Sequence, residues 1–236
     1  MNELEQQAML YYQNNCVLGS FDTETKTYSK MMKALREIFD GNLREGFRLE
    51  NKKYPYTYDL RDNPFEYDES FIDILLENNI DVFIRDIIGS TACLSHIQVI
   101  NAYPYPDGIS SYQMWHRDSY QYSGENFVGN CPPVIKLIFY PNFDEDPEPV
   151  LSFVPGSSSM ILSDRYLDLS QPNEKNTVTI QNSNDQFLIF NTTMLHSTMP
   201  VREKNLRIIY NFIPEINLYK YENSKVCQEI WRDRSV

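Results

Sequence analysis

Three histidines and four cysteines are the only imidazole and thiol groups in 236 residues, and that scarcity excludes whole classes of site. Cys16, Cys93, Cys131 and Cys227 are far apart and share no CxxC spacing. Neither a sulfur-rich zinc site nor a disulfide framework fits such a pattern, and four free thiols is the plain reading. Positive charge is also short: 21 Lys and Arg stand against 33 Asp and Glu, for a net charge of -12. Nucleic acids and anionic membrane surfaces need a basic footprint that the chain as a whole lacks. No apolar run approaches the roughly 20 residues that span a bilayer. The start, MNELEQQAMLYY, has neither the basic region nor the apolar stretch of a signal peptide, so a soluble cytoplasmic protein is expected. Repeats, low-complexity tracts and Ser/Gly linkers are missing too, which leaves a single domain over residues 1–236. What is present, 42% hydrophobic and 14% aromatic residues, suits a globular chain with a substantial core.

The first ninety residues read as mainly helical. Residues 2–14 are polar with good helix formers, and residues 27–40 carry Tyr28, Met31, Met32, Leu35 and Phe39 at helical spacing, with Gly41 as a stop. Over residues 68–88 apolar positions recur at steps of three and four, Asp68 suits an N-cap, and Asn78-Asn79 breaks the stretch in two. After Gly89 the texture changes to β-branched and aromatic runs at 93–103, 111–116, 134–140, 150–154, 160–162, 177–181, 186–191 and 205–213, separated by Pro, Gly and Asn clusters. With no long helix between them, these runs predict an antiparallel double sheet, a sandwich or barrel, with the N-terminal helices packed on one outer face. The expected division is a helical flank (1–89), a β-barrel core (90–215) and a C-terminal tail (216–236).

The stretch Trp115-His116-Arg117-Asp118 carries the first chemical signal. In an extended segment His116 and Asp118 face the same way, so imidazole and carboxylate can reach one metal ion as neighbouring ligands. Later in the chain, His196 follows the apolar run QFLIFN. Two histidines and a carboxylate with open positions make the facial triad of non-haem iron(II) sites, while tetrahedral zinc with a bound water stays open. Eleven residues after His196 stands Arg207, within the next strand. Alternation gives Arg207, Ile209 and Asn211 one face and Leu206, Ile208, Tyr210 and Phe212 the other. The apolar set packs under the helices, and Arg207 then points into the barrel, where its fork could hold a carboxylate. An exposed arginine or a structural ion pair is the plain alternative.

These residues resemble the phytanoyl-CoA dioxygenase-like family of Fe(II)/2-oxoglutarate-dependent oxygenases. The resemblance rests on WHRD at 115–118, VLSFVPGSS at 150–158 and LHSTMPVREKNLR at 195–207, and covers about residues 90–215. The family's middle segment ends Pro-Gly-Ser-His, and Ser158 stands here in place of that histidine. The resemblance implies a fold that is mainly β with flanking helices: a double-stranded β-helix, a jelly-roll or cupin-like barrel, with N-terminal helices packed on one sheet. It implies Fe(II) on His116, Asp118 and His196, and the distal carboxylate of 2-oxoglutarate on Arg207, assisted by the hydroxyl of Thr198. Gln98 and Asn101, on the strand before the triplet, are candidate contacts to the cosubstrate. Related halogenases replace the triplet carboxylate with a small residue, so Asp118 points to hydroxylation, with succinate and CO2 as coproducts.

Substrate contacts are expected in the loops 104–114 and 119–133, which carry Tyr105, Tyr112, Tyr120, Tyr122 and Phe127. Arg117 and Arg165 could meet an anionic substrate group, with surface arginine as the plain reading. His96, two residues from Gln98, reads as a structural histidine that could also line the pocket. The leading expectation is an oxygenase acting on a small molecule. The alternatives are the same chemistry on a peptide or nucleobase, a catalytically silent barrel used as a binding module, and, weakest, a zinc hydrolase.

Overall fold

Local signals set the N-terminal elements. The computed structural model of the chain describes residues 3–51, 56–60, 64–89, 92–105, 115–117, 122–123, 126–127, 134–143, 146–159, 176–214 and 231. Helix α1 (Glu3–Asn14) leads into strand β1 (Cys16–Ser20) and helix α2 (Lys26–Asp40). Thr25 caps α2 by accepting the Tyr28 N–H at 3.0 Å, and Gly41 closes it at φ 79°, a conformation that glycine adopts without a Cβ clash. Its buried face is Tyr28, Met31, Ala34, Leu35 and Ile38, close to the set that the periodicity predicts. Then come β2 (Leu49–Glu50), β3 (Thr57–Leu60), α3 (Pro64–Tyr67), α4 (Ser70–Glu77) and α5 (Ile80–Ile88). Asn79, in the left-handed region at φ 54°, makes the break between α4 and α5. Asp68 accepts the Ser70 N–H at 3.0 Å, but the cap position itself falls on Glu69.

The barrel strands are β4 (Ala92–Ala102), β5 (Tyr122–Ser123), β6 (Asn126–Phe127), β7 (Ile135–Phe139), β8 (Pro149–Phe153), β9 (Val178–Gln181), β10 (Gln186–Asn191), β11 (His196–Thr198) and β12 (Asn205–Pro214). A seven-stranded sheet runs β1-β10-β7-β12-β4-β3-β2, and a three-stranded sheet runs β11-β8-β9, with every strand pair antiparallel. This is the double-stranded β-helix, mainly β with flanking helices. The first ninety residues are mainly helical, as expected, and they also add to the large sheet: β1 extends it beyond β10 while β3 and β2 extend it beyond β4. Strands of two to five residues, one interrupted by Gly19, are too short for alternation to show. The expected runs at 111–114 and 160–162 lie outside the described residues. So does the tail, apart from Trp231, which is buried against Phe212 with ring centroids 5.6 Å apart.

Strand parity sorts the interior into two cores. Val99, Leu137, Phe139, Ile189, Leu206, Ile208, Tyr210 and Phe212 face the helices, where they join Met31, Leu35, Phe71 and Ile84. Their neighbours Ile100, Ile138, Leu188, Phe190 and Ile209 face the small sheet and meet Val150, Leu151 and Phe153. Each buried side chain of this size contributes about 1.5–3 kcal/mol through removal from water, so both faces of the large sheet are fixed and its register cannot slip by one residue. The expected split of β12, with Leu206, Ile208, Tyr210 and Phe212 under the helices, is the one observed. No helix among the described residues is long and apolar enough to cross a membrane.

Candidate functional site

His116 and His196 form an isolated antiparallel bridge at the rim of the small sheet. Each donates its backbone N–H to the other's carbonyl, at 2.9 Å from His116 and 3.0 Å from His196. Directly opposed residues in an antiparallel pair project to the same face, so the bridge brings the two imidazoles together. Their ring centroids lie 4.5 Å apart, at 48° between planes. The His196 ring also packs at 5.1 Å against Phe190, a member of the core between the sheets, so the pair looks into the barrel.

Hydrogen bonds on both sides brace His196. Its Nδ1 donates to the Met194 carbonyl at 2.8 Å, which fixes the tautomer and leaves Nε2 as a lone-pair donor, the arrangement that a metal-binding imidazole needs. Ser157 Oγ accepts the Leu195 N–H at 2.8 Å and donates to the Val154 carbonyl at 2.7 Å, while the Val154 N–H reaches the Leu195 carbonyl at 3.0 Å. Arg117, only 1% exposed, donates through Nη1 to the Thr193 carbonyl and ties the turn before His196 to the His116 segment. The plain reading of Arg117 as a surface arginine therefore fails, and its visible contact is to the backbone. Two inward imidazoles, one with its outer nitrogen already occupied, suit a borderline divalent metal ion. Among the described residues no group of three or more His, Cys, Asp or Glu side chains converges as a metal site. The expected third ligand, Asp118, lies outside the described residues, as do Tyr120 and Arg165.

Arg207 lies on the inward face of β12, 9% exposed, opposite Ile100 of β4. Tyr140, which follows β7, shares that face. Burial raises the Tyr140 phenol above its ordinary pKa, and the Arg207 guanidinium beside it pulls the other way, at a geometry short of a formed hydrogen bond. Thr198 is paired with Leu151 of β8, and Gln98 with Ile209 of β12, both partners being interior residues. Asn101 is a correction. It stands three residues from Gln98, an odd step that turns it to the opposite face of β4. There it is fully buried and donates through Nδ2 to the Ile38 carbonyl of α2 at 2.9 Å, so it ties helix to sheet and does not face the barrel interior. Tyr105 packs edge-on against Tyr56 at 5.0 Å, beyond the end of β4 where Ala102 pairs with Asn205, the end remote from Phe190 and the ring pair. Sequence reasoning missed Ser157, Tyr140 and Lys136. In VIKLIFY, Lys136 and Tyr140 carry the parity of inward Ile138, and that parity is the signal that could have found them.

The sequence matches no protein-family model and no curated protein. The fold does match solved structures. HygX from Streptomyces hygroscopicus, with nickel, 2-oxoglutarate and hygromycin B bound, is similar with a TM-score of 0.61 and 12% identity over 91% of this chain and 88% of HygX. The epimerase SnoN, in complex with Fe3+, alpha ketoglutarate and nogalamycin RO, gives a TM-score of 0.60 and 13% identity over 89% of this chain and 83% of SnoN. AviO1 from Streptomyces viridochromogenes Tue57 gives 0.58 and 13%, over 90% and 96%. The chain shares their fold.

Two expectations follow from this geometry. Asn101→Ala should lower stability by about 1–3 kcal/mol, because it leaves a buried carbonyl without its donor, while cosubstrate affinity stays unchanged. Urea unfolding with a 2-oxoglutarate titration checks both halves. His96 is held neutral: burial lowers its pKa from 6.5 to about 4, helped by the positive charge of Lys136 and opposed by a hydrogen bond with Gln98. Between those values the unfolded chain binds a proton that the folded chain refuses. Stability from this group is full above pH 6.5 and drains as pH falls toward 4, by about 3 kcal/mol. His96→Gln should flatten that decline in urea unfolding between pH 7 and 4.5.

Proposed function

We propose that this chain is an Fe(II)- and 2-oxoglutarate-dependent dioxygenase that hydroxylates an unactivated C–H bond of a small-molecule substrate and releases succinate and CO2. The observation that carries the reading is the bridged imidazole pair at the mouth of a double-stranded β-helix, with Arg207 on an inward face of the same barrel. His116 and His196, with Asp118 two residues after His116 in the chain, would hold the Fe(II). On the same fold the HygX structure holds nickel and 2-oxoglutarate, and the SnoN structure holds Fe3+ and alpha ketoglutarate, which supports this choice of metal class and cosubstrate.

When bound, iron and 2-oxoglutarate supply the oxidising chemistry, with O2 consumed as the cosubstrate loses CO2 and a substrate C–H becomes C–OH. The chain's own part is positioning. Arg207 offers its fork to the distal carboxylate from a site shielded from water, where a charge-assisted pair is stronger than at the surface, and the Thr198 hydroxyl assists. Gln98 adds a polar contact on the same wall. Ile138, Leu188 and Ile209 line the space between the sheets and exclude water from it. Hygromycin B in HygX and nogalamycin RO in SnoN support a small-molecule substrate over a peptide or nucleobase. Specificity then falls to the loops 104–114 and 119–133, with Tyr120 there and Arg165 further along the chain. SnoN being an epimerase favours one second outcome, inversion at the attacked carbon, which product mass separates from hydroxylation.

Anaerobic addition of Fe(II) and 2-oxoglutarate should produce the visible metal-to-ligand charge-transfer band of a chelated cosubstrate. A folded protein that never shows the band contradicts the reading. Arg207→Ala should raise the 2-oxoglutarate needed for half of the band by about 10–100-fold, the worth of a lost charged hydrogen bond, while Fe(II) binding survives. An unchanged requirement removes Arg207 from the cosubstrate site.

A further inference from the structure

At one level of the barrel wall two buried donors stand side by side. The register that pairs Ile209 with Ile138 and Ile208 with Phe139 sets Arg207 level with Tyr140, the residue after β7. Tyr140 keeps the inward parity of Ile138, and Arg207 that of Ile209, so both turn to the space between the sheets. Tyr140 is 2% exposed, and its carbonyl accepts the Ser183 N–H at 2.9 Å, which pins the backbone that carries the ring. The phenol hydroxyl has no hydrogen-bond partner among the described residues. Arg207, buried beside it, forms no ion pair among them.

The two groups cannot satisfy each other. A guanidinium carries N–H donors and no acceptor, so nothing in it takes up the phenolic hydrogen. Burial raises the Tyr140 pKa, and the neighbouring guanidinium offsets only part of that rise, so the hydroxyl keeps its hydrogen at neutral pH. The adjoining inward side chains add no acceptor: Ile100 of β4 pairs with Arg207, and Ile138 and Ile209 occupy the next level. A cation and a hydroxyl donor buried together without an acceptor are costly on their own and complementary to an anion that brings two acceptor atoms. A carboxylate has that form, with one oxygen for the guanidinium and the other for the phenol.

Resting on the reading of Arg207 as part of the cosubstrate site, we propose that the Tyr140 hydroxyl is a second donor to the distal carboxylate of 2-oxoglutarate, and that the Arg207–Tyr140 pair selects a 2-oxo acid with a second carboxylate over one that ends in a methyl group. The orphaned hydroxyl gives this role a signature that packing lacks. A tyrosine that only fills space loses stability, or nothing, when its hydroxyl is removed. A tyrosine whose hydroxyl waits for an acceptor leaves the protein alone no weaker and the complex weaker.

Ligand-observed NMR on the metal-free protein, with 2-oxoglutarate and 2-oxopentanoate as probes, tests this together with thermal unfolding without ligand. Both probes have the 2-oxo acid end and the same chain length, and only the first has a distal carboxylate. 2-Oxoglutarate should bind about tenfold more tightly than 2-oxopentanoate, or better. Tyr140→Phe should weaken 2-oxoglutarate by about tenfold, the worth of one charge-assisted hydrogen bond, and leave 2-oxopentanoate unchanged. Arg207→Ala should act in the same direction, and the double variant should lose less than the product of the two losses, because both donors hold one group. Without ligand, Tyr140→Phe should unfold at the wild-type temperature or a few degrees above it. Equal weakening of both probes, a loss of affinity that comes with a lowered unfolding temperature, or no binding of 2-oxoglutarate to the wild type at millimolar concentration overturns the proposal. Unchanged 2-oxoglutarate affinity in Tyr140→Phe beside a loss in Arg207→Ala also overturns it, and leaves the oxygenase reading standing. Selective, Tyr140-dependent binding in a protein that never shows the charge-transfer band with Fe(II) would sink the oxygenase reading and not the donor pair.

Discussion

Two backbone hydrogen bonds, exchanged between His116 and His196, decide where the paired imidazoles of this chain sit. They are ordinary ladder bonds, yet they join segments 80 residues apart in sequence and set two imidazoles side by side. Much of the surrounding structure serves that contact. Arg117 ties the His116 segment to the turn before His196, Ser157 fastens that turn to the end of β8, and the Met194 carbonyl fixes which imidazole nitrogen is available. The large sheet supplies the floor on which the pair rests, through Phe190. The helices cover only the opposite face of that sheet, so their packing, which is the larger of the two cores, stabilises the scaffold without touching the site.

The inward wall is organised in rungs. Arg207 and Tyr140 mark one level, the aliphatic residues Ile138, Ile209 and Leu188 the middle, and Lys136 with Asn211 the level beside the histidines. Apolar side chains fill the level between the two polar ones.

Much of this was legible in the chain before any coordinates. Parity on β12 placed Arg207 inward and Phe212 under the helices, because a strand buried on both faces leaves no slack in its register. The sequence singled out His116, His196 and Arg207, which the fold sets as a bridged ring pair and an inward arginine, while Asp118 lies outside the described residues. Other features were not legible, for physical reasons. β1, β2 and β3 are too short to show alternation, and β1 and β3 pair with strands distant in sequence. Asn101 was misread because polarity was weighed without parity, although its odd separation from Gln98 already sent it to the helix side. Lys136 was passed over because a lone lysine in an apolar run looks like noise until the register of three strands aligns it with Asn211 and His96.

The central claim is that the bridged imidazoles together bind one metal ion. X-ray absorption at the iron edge, on protein loaded anaerobically with one equivalent of Fe(II), tests it directly. The account predicts outer-shell scattering from two imidazoles alongside oxygen ligands, falling to one imidazole in His196→Ala. Iron that binds with no imidazole in its coordination sphere, or a spectrum that His196→Ala leaves unchanged, would contradict it.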